Sequence, residues 1–130
     1  MTPAEVDANG THVFAASHAD TFKATAGALQ TLGYQLTMTD EGKGILKTDR
    51  KLLQARAVAT SSVSASAVQV TRQYYVRITS TDATSTAVVA EPKVFIGERD
   101  VSGDEVWALE GPEGERELWR RLFAEIQSNL

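Results

Sequence analysis

Cysteine is missing from this chain altogether. Its absence excludes disulfides, a thiolate nucleophile and every metal site that needs a thiolate ligand. The compartment stays open, because cytosolic proteins often lack cysteine and so does a lipoprotein domain taken without its lipidated N-terminal residue. Histidine is nearly as scarce. The two present, His12 and His18, form no HxxxH or HxH pair and have no cofacial acid pair, so they read as surface or capping-region residues rather than as ligands or bases.

Long apolar runs are lacking too. No stretch approaches the roughly 18 residues that a membrane-spanning helix requires, and Met1-Thr2-Pro3-Ala4-Glu5 has none of the marks of a signal peptide. The domain is therefore expected to be soluble, with any membrane tether lying upstream of it. Charge of one sign is not concentrated anywhere: 17 acids and 13 Lys and Arg give a net charge of -4, scattered along the chain. No basic face exists to displace counterions from a nucleic acid, so none is expected as a partner.

What is there suffices for one core: 130 residues, of which 42% are hydrophobic. Residues 1–10 are small, polar and without period, and are expected to form a flexible tail before a single domain over 11–130. "THVFAA" (Thr11–Ala16) is a strand candidate. Ser17 and Asp20 have the spacing of a capping box, and Phe22, Ala26, Leu29 and Leu32 make the apolar stripe of a helix that Gly33 can close. From Tyr34 the period changes to two, through Leu36 and Met38. Asp40–Gly44 ("DEGKG") is turn chemistry, and Ile45 to about Leu53 resumes an extended pattern.

Gln54–Gln69 lacks any large apolar side chain, which predicts a mobile loop or a projecting, weakly packed arm. Beyond it Tyr74, Val76 and Ile78 alternate with Tyr75, Arg77 and Thr79. After the "STDATS" turn Val88, Ala90, Val94 and Ile96 point inward, with Pro92 marking an edge or a bulge. A short strand is expected over Glu105–Leu109, Gly111-Pro112-Glu113 suits a helix start, and Leu118, Trp119, Leu122 and Ile126 form a last helical stripe with Phe123 on its flank. Two one-faced helices and alternating strands predict an α+β fold, an antiparallel sheet of four to five strands with two helices packed on one face, in the order β-α-β-β-β-β-α.

The polar clusters read as solvated. Asp40, Glu41 and Lys43 sit at a hairpin tip, with no burial to raise a carboxylate pKa toward neutrality. Glu98, Arg99, Asp100 and Asp104 lack EF-hand spacing, and "GKGILKT" has neither GxGxxG nor P-loop spacing. Trp107 and Trp119 read as core. Lys47, Arg50, Lys51 and Arg56 form a basic run that suits lipid phosphates or an acidic partner as well as a solvated strand face. No catalytic, cofactor-binding or metal-binding residue is expected. The candidate interaction surface is the sheet face opposite the helices, where period two places Tyr75, Arg77, Val89 and Phe95.

"THVFAAS", the helix ending "ALQTLGY" and the following "QLTMTDEGKGILKT" resemble the BamC type of envelope lipoprotein domain. Leu32, Gly33, Tyr34, Asp40, Gly44, Ile45 and Thr48 carry the match over Thr11–Thr48. The resemblance implies a sheet with two helices on one face, in a non-enzymatic domain tethered to the outer membrane and exposed to the periplasm. It further implies a role in assembly or binding. On the outer sheet face a protein partner, or a second copy of the chain in its absence, is expected, and no cofactor. The alternatives are a carrier of a small apolar ligand with a cavity between sheet and helix, and a cytoplasmic location.

Overall fold

The computed structural model describes the backbone of residues 1–59, 65–103 and 115–130, and their side chains except at 54–59 and 65–68. The fold is α+β with an antiparallel sheet, as the alternation predicted, but with more elements. Among the described residues there are seven strands and three helices: α1 (Pro3–Asn9), β1 (Thr11–Phe14), α2 (His18–Thr31), β2 (Leu36–Asp40), β3 (Ile45–Thr48), β4 (Lys51–Ala59), β5 (Ala65–Asp82), β6 (Ser85–Ile96), β7 (Arg99–Asp100) and α3 (Glu115–Asn129). The expected strand at Glu105–Leu109, Trp107, Asp104 and the helix start at Gly111–Glu113 lie outside the described residues.

The first additional element is α1, in place of the expected tail. Thr2 Oγ1 accepts from the Glu5 amide at 3.2 Å while Glu5 Oε1 accepts from the Thr2 amide at 3.0 Å, a complete capping box with Pro3 in the first turn. Only Met1 and Val6 are buried, too few for an apolar period, which is why this segment resembled a tail. The N-terminal ammonium donates to the Ser102 carbonyl at 2.8 Å and ties the segment to the end of the β7 region.

Strand order is β1-β6-β5-β3-β2, with β4 also paired to β5 and β7 to β6. The 18-residue β5 is the axis. Along one edge it carries β4 on its first half (Lys51↔Arg72 to Ala59↔Ala65) and β3 on its second (Ile45↔Arg77 to Lys47↔Tyr75). The extended run expected from Ile45 to Leu53 is therefore split into two strands at Asp49–Arg50. Across that break the Thr48 hydroxyl accepts from the Tyr74 amide at 2.8 Å, so a side chain supplies the bond that the ladder omits. Of the two expectations for Gln54–Gln69 the backbone takes the arm: β4 and β5 stay paired beyond Val70, where the β5–β6 ladder begins, and residues 60–64 lie outside the described residues. Small side chains weaken packing but leave the backbone ladder intact.

The other edge of β6 is divided in the same way. β1 pairs from Phe14↔Thr86 to Thr11↔Val89, and β7 pairs at Phe95 and Ile96. Pro92, which has no amide proton and was expected at an edge or a bulge, falls between them, where that side of β6 has no strand partner among the described residues.

Of the capping box expected at Ser17 and Asp20 one half forms, and Gly33 closes α2 where the sequence placed it. Ser17 Oγ accepts from the Asp20 amide at 3.2 Å. Gly33 takes φ 93° while the Tyr34 amide returns to the Leu29 carbonyl at 2.9 Å, which closes α2 and starts the extended chain. "DEGKG" is a hairpin turn: Asp40 Oδ1 accepts from the Lys43 amide at 3.0 Å, and Gly44 has φ 68°. A Cβ on Gly44 would stand 2.0 Å from the Ile78 carbonyl oxygen, because the turn lies directly against β5.

The core lies between the inner sheet face and two of the helices. Phe14, Leu46, Val70, Tyr74, Val76, Ile78, Val88, Ala90 and Val94 meet Phe22, Ala28 and Leu29 of α2 and Trp119, Leu122 and Ile126 of α3. Trp119 Nε1 donates to the Ala90 carbonyl at 2.9 Å, so the indole is buried without an orphaned donor. Asn129 Nδ2 donates to the Ala24 carbonyl, while Leu118 and Leu32 line one cleft, so α2 and α3 run antiparallel.

Candidate functional site

The outer sheet face begins with period two in β5 and β6, which turns Tyr75, Arg77 and Val89 away from α2 and α3. The register sets Arg77 opposite Val89 and Tyr75 opposite Glu91. Lys47, paired with Tyr75 from β3, holds its ammonium 5.3 Å from the Tyr75 ring centre. Three of the four expected surface residues are thus brought together at the centre of the sheet.

Phe95 is not one of them. It lies about 20 Å along β6 from Val89, pairs with Thr71 and Asp100, and is only 8% exposed. The Arg50 guanidinium covers it at 3.7 Å from the ring centre and is held there by Glu98 at 3.3 Å. Parity predicted the correct face for Phe95. Its exposure was misjudged, because the covering cation comes from the distant break between β3 and β4.

Other strands add residues that the sequence reading did not assemble. Met38, paired with Lys47, is 37% exposed; Val13, paired with Ala87, is 53% exposed; Ile45 stands opposite Arg77. Val13 and Ile45 follow the parity of their strands, but Met38, expected on one side with Tyr34 and Leu36, is turned to the other by the register shift between Leu36 and Met38, and only the inter-strand register makes the three neighbours. Two grooves flank the centre of this face and share Glu91. One of about 400 Å³ runs past Lys47, Gln73, Tyr75 and Lys93. The other, of about 390 Å³, lies between Arg77 and α1, with Met1, Pro3 and Asp7 on its far wall.

The basic run does not form one patch. Lys47 covers Tyr75, Arg50 covers Phe95, and Lys51 turns to the opposite face, donating to the Leu32 carbonyl at 2.6 Å with its ammonium 5.1 Å from the Tyr34 ring centre. The Arg56 side chain lies outside the described residues. Alternation and the strand break scatter charges that are neighbours in sequence.

Both histidines are occupied by packing. His12 stacks on Phe123 at 5.4 Å, and His18 Nε2 lies 3.2 Å from the Ile78 carbonyl. Among the described residues no group of three or more His, Asp and Glu is arranged to hold a metal ion. Asp100 accepts from the Ser102 hydroxyl and amide, bonds that hold its carboxyl below the usual range.

A buried charge cluster was missed. Arg72 Nε lies 2.6 Å from Glu115 Oε2, and both side chains are wholly buried. The Tyr74 hydroxyl donates to Glu115 Oε1 at 2.5 Å. Burial pushes the Glu115 carboxyl up to about 7, against the opposing pull of Arg72 and of the Tyr74 hydrogen bond. Burial and the neighbouring carboxylate push the Tyr74 phenol well above its ordinary value. The cluster fastens the first turn of α3 to the middle of β5. Its signal was an arginine at an inward position of the Val70–Ile78 alternation, which demands a buried acid, and Glu115 extends the Trp119, Leu122, Ile126 stripe by one turn.

No protein-family model matches the chain, and no curated protein matches it. Among solved structures, a DUF4468 family protein from Bacteroides ovatus is similar over 92% of this chain and 77% of its own, at 14% identity and a TM-score of 0.41. The di-domain ARO/CYC StfQ of the steffimycin biosynthetic pathway is similar over 91% of this chain at 13% identity and a TM-score of 0.33. This chain spans 41% of that protein.

Proposed function

We propose that this chain is a non-enzymatic protein-interaction domain that binds a partner protein on the outer sheet face around Tyr75, Arg77 and Val89. The observation that carries this reading is the one-sided packing of α2 and α3, which leaves the opposite centre of the sheet to two grooves that share Glu91. Tyrosine and arginine at the centre of such a face are the residue types on which binding energy concentrates, and Met38, Ile45 and Val89 supply apolar area around them. Binding rather than reaction is favoured because Glu115, whose pKa is the most raised of any carboxyl described, is sealed against Arg72 and Tyr74 in the core. A carrier with a central cavity is disfavoured by Trp119, Leu122 and Ile126, which fill the space between the layers.

Envelope placement is part of the proposal and rests on the strand, helix and hairpin order over Thr11–Thr48. Fractionation of cells carrying the native gene should recover the protein with the periplasm or outer membrane, and recovery in the cytosol refutes that placement. For the surface, a photo-crosslinking residue substituted at Tyr75 or Val89 should give one discrete adduct that disappears with Arg77→Glu. The same residue at Ala124, on the exposed side of α3, should give none. No adduct from either sheet position, or an equal yield from Ala124, refutes the assignment of this face.

A further inference from the structure

On the opposite side of the sheet a cleft of about 180 Å³ opens between β4, β5, the end of α2 and α3. Its apolar walls are Leu32, Leu52, Leu53, Leu118 and Leu122; its aromatic walls are Tyr34 and Tyr74, set edge to face at 5.2 Å; and two cations, Lys51 and Arg121, complete the lining. We propose that this cleft binds a small aromatic monocarboxylate, ring inward and carboxylate at the cations. This inference is independent of the outer-face reading.

Size limits the ligand first. An apolar cavity of about 150 Å³ accepts one benzene ring. The cleft therefore has room for one ring and a short side arm, and excludes a long-chain lipid or a fused polycycle. Charge then selects the substituent. Lys51 is half-buried and, among the described residues, has no carboxylate within 4.0 Å; its partners are a carbonyl oxygen and a ring face. An ammonium has three donors, and the Leu32 carbonyl takes one of them. Arg121 reaches Glu117 through Nε at 3.3 Å, which leaves the rest of its fork for an acid. Glu115, behind Tyr74, does not oppose an incoming anion, since Arg72 and the Tyr74 hydroxyl already engage both of its oxygens. The ring is selected by the Leu side chains and by the faces and edges of the two tyrosines.

The test is a titration of the ¹⁵N-labelled chain with sodium phenylacetate, beside benzyl alcohol and benzylamine as neutral and cationic controls. A ligand of this size is expected to bind with a Kd on the order of 1 mM. Saturable shifts should appear at the amides of Leu32, Tyr34, Lys51, Leu118 and Leu122, and binding should weaken about tenfold for the alcohol and in Lys51→Met. Leu118→Trp, which fills the cleft from α3, should abolish the shifts. Absence of saturable shifts with phenylacetate, equal affinity for benzyl alcohol or benzylamine, or shifts that persist in Leu118→Trp overturns the proposal.

Discussion

Replacing Glu115 by glutamine should remove a pH dependence of stability that the wild-type chain carries between about pH 4.5 and 7. The folded-state pKa of Glu115 is raised, from 4.5 to about 7, because burial penalises the carboxylate more than Arg72 and Tyr74 favour it. The folded state then binds the proton more tightly than the unfolded state. Stability from this group is full below pH 4.5 and is lost as pH rises through 7. A shift of that size amounts to about 3 kcal/mol across the window, with a slope of at most about 1.4 kcal/mol per pH unit where only the folded state is protonated. Carboxyls with lowered values act in a different window. Glu117, held near 2 by its hydrogen bond to Arg120, and Asp82 and Asp100, held down by Thr84 and Ser102, lose their contribution only as pH falls below the ordinary carboxylate range. Urea unfolding followed by far-UV circular dichroism at half-unit steps from pH 4.5 to 8, on wild type and Glu115→Gln, isolates the effect as a difference. A wild type whose stability is flat or rises with pH across that window, or a Glu115→Gln variant that keeps the wild-type slope, refutes the argument. Arg72→Met should extend the fall above pH 7 and cost about 3 to 5 kcal/mol at pH 7, since it leaves a buried acid without its counter-charge. Arg72→Met with Glu115→Leu should recover most of that loss.

Other substitutions test the fold at single points. Gly44→Ala should destabilise by about 3 kcal/mol or more, because its Cβ would overlap the Ile78 carbonyl as well as strain a positive φ, whereas Gly33→Val should cost about 1 to 3 kcal/mol by the strain of its positive φ, with only the flexible end of Lys51 close by; equal midpoints in urea would refute the difference. Trp119→Phe should cost about 1 to 3 kcal/mol by leaving the Ala90 carbonyl without its indole donor, read by thermal unfolding. Thr2→Ala should cost about 1 kcal/mol and raise amide exchange in α1 while leaving β5 and β6 protected, and unchanged exchange at Val6 would refute the capping box.

Elements that carry their own signal were legible in the sequence. α2 has a cap, a stripe and a terminating glycine within one short segment, and "DEGKG" has the composition of its turn. β5 and β6 alternate over enough residues to fix the faces of Tyr75, Arg77 and Val89. α1 escaped because two buried side chains make no period, although its capping box was present in "TPAE". Exposure was harder to read than orientation, because it depends on what another segment places above a residue. Phe95 is covered by Arg50 from the β3–β4 break, and the Lys47–Arg56 run is scattered over two faces by a break that no single residue announces. The Glu115 site joins Tyr74 to a partner 41 residues away, so only the misplaced polarity of Arg72 pointed to it.

The pairing of β1 with β6 imposes a schedule on synthesis. Thr11 and Phe14 wait for Val89 and Thr86, roughly 75 residues later, so at about 5 to 20 residues per second the N-terminal strand emerges about 4 to 15 s before its partner exists. In that interval β2 to β5 are made and can cover part of the apolar stripe of α2, but Val13 and Phe14 are open to any passing strand. The β2–β3 hairpin, complete at Thr48, is the first part of the sheet able to form, and β1 must be retained until the much later β5–β6 hairpin closes through Thr81 to Thr84. The contacts of α1 therefore belong to the end of assembly. Weakening them should speed unfolding far more than it slows folding.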